Sequence, residues 1–111
     1  MATKLMPKPN DFILCVKVGK VIRENLYEMT RKYWVVSLEK AKLATHVCAV
    51  VNGVVAAVFI PKDWKYTDDP KHIGRCEFVG VEDIHSEYIG KDVRSYYGRS
   101  ANPVKYINLS V

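Results

Sequence analysis

Aromatic and basic side chains crowd one short stretch of this chain: Tyr27, Thr30, Arg31, Tyr33 and Trp34 fall within eight positions. Aromatic rings offer stacking surfaces for bases, and a neighbouring arginine can meet phosphate or a base edge. The competing reading packs Tyr33 and Trp34 under a helix and ties Arg31 into a structural ion pair with Glu28 or Glu77. Arg75 follows Gly74 at the mouth of a strand and points away from Cys76 and Phe78. It is either a ligand-facing guanidinium or the partner of Glu77 or a loop acid. Tyr96, Tyr97, Arg99, Ser100 and Asn102 lie on one loop. Such residues suit recognition, giving adaptable hydrogen bonds and rigid amphipathic area, but loops favour several of them anyway.

Other chemistries find less support. His46-x-Cys48 and His72-x-x-x-Cys76 fit no common zinc spacing, so no metal and no cofactor is expected. There is no G-x-S-x-G or Cys/His signature for a nucleophile. Asp68-Asp69 reads as a solvated turn. No positioned base, electrophile and water-excluding pocket assemble from these residues, so no catalytic residue is assigned.

The element that must position any site is the stretch His46–Ile60, in which two apolar runs flank Asn52-Gly53. Asn-Gly is a strong hairpin signal, because a type I′ turn needs positive φ at both central residues. Neither arm alternates apolar with polar, so both faces of this hairpin are expected to be covered. Residues 1–10 hold Pro7 and Pro9 without periodicity and read as a flexible tail, leaving 11–111 as a single domain. Residues 11–18 form a first strand. A short helix over 26–29 with Asn25 as its cap, an extended Tyr33–Val36 and a helix from Ser37 to about Thr45 follow. Pro61 is expected to end the second hairpin arm, with a polar loop over 62–73. A strand at 74–80, a short helix at 81–88 with Ile84 and Tyr88 facing inward, a loop at 92–103 and a last strand at 104–109 complete the chain. The class is α+β: a compact, mostly antiparallel, partly closed, barrel-like sheet with two or three short helices.

The chain's 111 residues suffice for one core. Its 49% hydrophobic and 26% charged content is that of an ordinary globule. No apolar run is long enough to cross a bilayer, and residues 1–10 do not read as a secretion signal, so the default compartment is the cytoplasm. Cys15, Cys48 and Cys76 are expected as reduced thiols, the first two within apolar strands. The net charge of +5 is unevenly spread. Residues 1–60 carry nine Lys/Arg against four Asp/Glu, residues 61–92 five against eight, and residues 93–111 three against none. If the two basic segments share a face, that face attracts phosphate, nucleotide or nucleic-acid backbone.

An ordered set of short motifs carries a resemblance. Tyr27-Glu28-x-Thr30-Arg31, Trp34 and Ser37-x-x-x-Ala41-x-x-Ala44 form its first part; Asn52-Gly53-Val54, Val58-Phe59 and Trp64 its second. Gly74-Arg75-x-x-Phe78-x-Gly80, Tyr88-x-Gly90-Lys91 and Asn102-Pro103-x-Lys105-Tyr106 complete it. Over most of residues 12–109 the chain resembles a family of small uncharacterised prokaryotic and phage proteins, and domains beside nuclease or restriction-type modules. Its strand order is also loosely similar to PUA-like β-barrel domains, which read RNA, modified bases or nucleotide-like ligands. The resemblance implies a phage or defence setting.

The leading expectation is a non-catalytic binding domain for a nucleotide-like ligand or nucleic acid. Trp34 and Tyr97 would stack a planar group, Arg31, Arg75 and Arg99 would meet phosphate or carbonyl oxygens, and Asn102 would orient the ligand. The alternative is a structural or protein-interaction module, a homodimer whose second copy helps to cover the doubly apolar hairpin.

Overall fold

The computed structural model describes residues 3–19, 26–99 and 102–108. Its centre is the expected hairpin. Strand β3 (His46–Val51) pairs antiparallel with β4 (Val54–Tyr66) across a turn in which Asn52 and Gly53 both have positive φ, 52° and 79°. The strand β1 (Ile13–Lys17) lies parallel to β3, and β6 (Val104–Ile107) runs antiparallel to β1. On the other side β5 (Cys76–Glu82) pairs with β4, and the short β2 (Lys32–Trp34) with the start of β5. The sheet is therefore mixed, in the order β2-β5-β4-β3-β1-β6. It is not closed by strand pairing, which corrects the expectation of a partly closed, barrel-like sheet.

Among the described residues three short α-helices decorate the sheet, α1 (Leu26–Arg31), α2 (Leu38–Ala41) and α3 (Arg94–Tyr97), with a 3₁₀ turn at Pro70–His72. Ser37 caps α2 as expected, its side chain accepting from the Lys40 N–H. The Asn25 cap expected for α1 lies outside the described residues.

Each sheet face has its own core. Leu14, Val16, Val47, Phe59, Trp64 and Phe78 lie under α1 and α2, with Ala41, Ala44, Leu38 and Tyr27 from above. Ile13, Cys15, Cys48, Val50 and Val58 lie on the other face under Tyr88, Val93, Tyr97 and Leu5. Alternation along β1 and β3 sends successive side chains to opposite cores, which is why their sequences show no polar side. Burying a Phe such as Phe59 or Phe78 contributes roughly 1.5–3 kcal/mol. The three cysteines are free and buried, and Cys15 and Cys48 are register partners on neighbouring strands. A hydrogen bond with Cys15 and burial push the Cys48 thiol well above its ordinary pKa, away from the reactive thiolate.

Three segments differ from expectation. Residues 3–10 are built into the fold rather than left as a tail. Leu5 is fully buried, its N–H donates to the Asp92 carbonyl at 2.9 Å, and the Tyr96 hydroxyl donates to its carbonyl at 2.7 Å. Pro61 does not end the second arm: β4 continues to Tyr66 through a register shift between Pro61 and Asp63. A bulge of this kind absorbs the missing proline donor and bends the strand. Residues 81–82 end β5 instead of opening a helix, and Ile84 is exposed rather than inward, although Tyr88 is buried.

Candidate functional site

The six expected ligand-binding residues do not meet in one cleft. Arg31 closes α1, and its guanidinium reaches the rim of β5. Its Nη2 sits 2.7 Å from Glu77 Oε2, and its Nε donates to the Phe78 carbonyl at 2.9 Å. Both partners' side chains are largely buried, 15% and 11% exposed. Trp34 is half-buried on β2, opposite Cys76, with its indole N–H donating to the Thr30 carbonyl at 2.6 Å. Arg75 is exposed just before β5, so these three residues share one edge of the sheet.

Tyr97 belongs to the other face. Its ring is buried in the second core with the Lys17 ammonium 4.4 Å above it, and its hydroxyl donates to the Pro103 carbonyl at 3.1 Å. Burial, then the nearby Cys15 and Cys48, push its hydroxyl pKa up. Arg99 is exposed beyond α3. Asn102 is exposed, and its Oδ1 accepts from the Val104 N–H at 2.9 Å in the turn that starts β6. Trp34 and Tyr97 thus lie in opposite cores and do not sandwich one planar group. Tyr33's side chain and Ser100 lie outside the described residues.

Asn102 does line a cleft, of about 360 Å³, which runs between α2 and β6 on the α1/α2 face. One wall is the segment leaving β2, Val35 to Ser37, followed by Lys40; the other is Asn102, Val104, Lys105 and Tyr106. Local rules explain each wall. Ser37 caps α2 and so fixes where Lys40 emerges. The Asn102 side chain turns the chain into β6, whose strand places Lys105 and Tyr106.

Lys40 and Lys105 belong to the two basic segments of the chain, and neither makes an ion pair among the described residues. Lys40 Nζ lies 6.0 Å from the centre of the Tyr106 ring, whose other neighbour is Phe12 at 5.6 Å. The Tyr106 hydroxyl is buried without a hydrogen-bond partner. Burial raises its pKa; the Ser37 backbone N–H is near enough to oppose the rise but does not reach hydrogen-bonding geometry. Val35, 70% exposed, adds apolar surface at the mouth. Two cations without an ion pair among the described residues, one buried hydroxyl and an apolar lip are groups of the kind that can receive an anion attached to an apolar or planar body. Lys40, Lys105 and Tyr106 are not among the six expected residues. The signal for them was the split of positive charge between the chain's beginning and end.

A second polar cluster lies at the edge of the other core, around a cleft of about 270 Å³. The Tyr88 hydroxyl donates to Asp11 Oδ2 at 2.5 Å and accepts from the Lys8 N–H at 3.0 Å. His46 Nδ1 lies 2.7 Å from Thr45 Oγ1 and 4.0 Å from Asp11 Oδ2, and its ring meets Tyr88 edge-on. Burial first, then the bond to Asp11, push the Tyr88 hydroxyl up to about 12. The Ser86 hydroxyl accepts from the Tyr88 N–H at 3.2 Å. The Tyr88 hydroxyl's bonds, with the Lys8–Glu87 ion pair at 3.0 Å, clasp residues 8–11 to residues 87–88. Among the described residues no group of three or more His, Cys, Asp or Glu could hold a metal, and no helix is long and apolar enough to cross a membrane. Scans against protein-family models, curated proteins and solved structures found no match.

Proposed function

We propose that this protein is a non-catalytic binding domain whose ligand is a nucleotide-like molecule or nucleic acid, held in the cleft between α2 and β6. One observation carries the reading. Lys40 and Lys105, one from each basic segment, flank the same cleft without a carboxylate partner among the described residues, beside the unpartnered Tyr106 hydroxyl. The lysines would neutralise phosphate, the tyrosine hydroxyl would give or take a hydrogen bond, and Val35 and Val104 would lie against the base. Arg31 leaves the ligand set, because Glu77 and Phe78 already hold it. The phage or defence setting rests on the sequence resemblance alone.

The test is a titration with a nucleotide panel and with single-stranded RNA and DNA at two salt concentrations. Lys40→Ala and Lys105→Ala are each expected to weaken binding by roughly 1–2 kcal/mol and to lower the salt slope by about one. Absence of binding to every one of these ligands at low salt would refute the reading. The interaction-module alternative would then take its place.

A further inference from the structure

A second notch lies at the C-terminal end of α2, between it and β4. Lys42, just past α2, Lys62 and Asp63 on β4, and Trp64 surround a space of about 240 Å³. Trp64 is 97% buried by its 3% exposure, and its indole N–H is buried without a hydrogen-bond partner. Neither Lys42 nor Lys62 makes an ion pair among the described residues. The notch therefore repeats the chemistry of the first cleft: two unpaired lysines beside a buried donor that the protein leaves unsatisfied. A buried N–H without an acceptor is costly, which would favour an acceptor seated in the notch that Trp64 lines. Asp63 lines the second notch and Glu39 lies on α2, against the four lysines 40, 42, 62 and 105 that line the two notches.

We infer that the two notches together bind one single strand of nucleic acid, laid across α2 with a phosphate in each. The inference rests on the reading of the first cleft as a phosphate site and narrows its ligand. Lys40 lines one notch and Lys42 the other, and two residues of helical turn rotate the side-chain direction by roughly 200°, so the notches open on different sides of α2. One phosphate fills only one of them. A flexible single strand can lower separate phosphates into separate notches. A duplex holds its phosphates in a rigid row, which does not follow two pockets around a helix. Single-strand binding combines a basic groove that tracks the backbone with aromatic rings that stack bases; here the lysines would supply the first and the partly buried Tyr106 ring is the aromatic at the first cleft.

Binding is measured by titrating the protein with a mononucleotide, with eight-nucleotide RNA and DNA strands, and with an eight-residue polyglutamate, over a range of salt. The octamers are expected to bind at least tenfold tighter than the mononucleotide. Their salt slope should be steeper by about 0.7 for each further phosphate held. Multiple binding registers raise affinity without steepening that slope, so the slope decides. The double variant Lys42→Ala/Lys62→Ala should lose the extra slope and keep mononucleotide binding. The Trp64 indole N–H resonance should move when an octamer binds and stay in place with the mononucleotide, while that of Trp34, bonded to Thr30, serves as the internal reference. An octamer slope equal to that of the mononucleotide, an unchanged slope in the double variant, or a stationary Trp64 resonance overturns the second notch and leaves the first intact. Polyglutamate binding as tightly as the octamers overturns the assignment to nucleic acid. Mononucleotide binding that survives Lys40→Ala/Lys105→Ala removes the first cleft, and the inference with it.

Discussion

Arg31 shows how a residue with the profile of a ligand-binding arginine can be wholly occupied by the fold. Its guanidinium bridges the Glu77 carboxylate and the Phe78 carbonyl and lies 5.7 Å from the centre of the Tyr27 ring. The Tyr27 hydroxyl in turn accepts from the Gly80 N–H at 3.1 Å. Side chains of α1 thus satisfy the edge of β5 where the short β2 stops pairing. Arg31→Ala strands a nearly buried carboxylate and is expected to cost on the order of 3 kcal/mol in chemical denaturation, with ligand affinity unchanged. A loss of affinity at constant stability would return Arg31 to the binding site. The alternatives of ion pair and ligand contact were both legible in the sequence. The ion pair that forms spans 46 positions, which local spacing does not encode. Tyr88 carries the clearest pH signature. Its folded-state pKa of about 12 lies above the ordinary 10, so the folded state holds its proton more tightly. The stabilisation is complete below about pH 10 and is lost as pH rises through about 12. Tyr88→Phe should lower stability at neutral pH by about 1–3 kcal/mol, through the unsatisfied Asp11 and Lys8 N–H, and flatten the alkaline decline. An equally steep decline in that variant would place the titrating group elsewhere, for example at Tyr97 or Tyr106, whose pKa values are also raised.

Among the elements, the β3–β4 hairpin is the most constrained. Gly53 adopts φ of 79°, and a Cβ there would come within 2.3 Å of Arg94 Cγ. Arg94 is itself held, donating to the Asn52 carbonyl at 2.8 Å and to Asp92 at 3.1 Å. Gly53→Val therefore meets backbone strain of roughly 1–3 kcal/mol and must also displace Arg94. A lower melting temperature is expected, and an unchanged one would contradict the turn geometry. This hairpin was readable because its evidence is local: Asn-Gly between two apolar runs. Its extension past Pro61 was not, because proline's usual role as a terminator depends on what lies across the sheet. Here Gly80 stands opposite Pro61, and any Cβ on it would sit 2.4 Å from the Ile60 carbonyl oxygen. The bulge thus needs two residues far apart in sequence. The helix expected at 81–88 failed for a related reason. Ile84 and Tyr88 have helical spacing, but β5 extends through Val81 and Glu82 to complete its ladder with Ile60 and Phe59, and backbone pairing outweighs so short a periodic pattern.

At the scale of the whole molecule, the layered arrangement answers the question raised by a hairpin apolar on both sides. α1 and α2 cover one face, and the 3–8 strap with the 88–97 segment covers the other, so β3 and the first half of β4 are enclosed by their own chain. That removes the reason for a second copy. One lysine of each basic segment does come to the cleft beside α2, but the sequence showed only that the segments exist; the packing of α2 beside β6, far apart in the chain, is what brings Lys40 and Lys105 together. The exposed large apolar side chains include Val79, Val81 and Ile84 near the end of β5, with Glu82 and Asp83 among them. Charges interleaved with apolar residues at a strand end oppose edge-to-edge pairing. We therefore expect a monomer by sedimentation equilibrium at micromolar concentration. A dimer that dissociates on Val81→Lys would identify this end of β5 as the interface and revive the interaction-module reading, whereas a dimer indifferent to it would require a different surface. The same measurement with an octanucleotide present separates the remaining cases. A strand lying across α2 of one molecule leaves the protein monomeric and adds only the strand's own mass, while a strand that bridges two clefts on separate molecules doubles the protein mass in the complex.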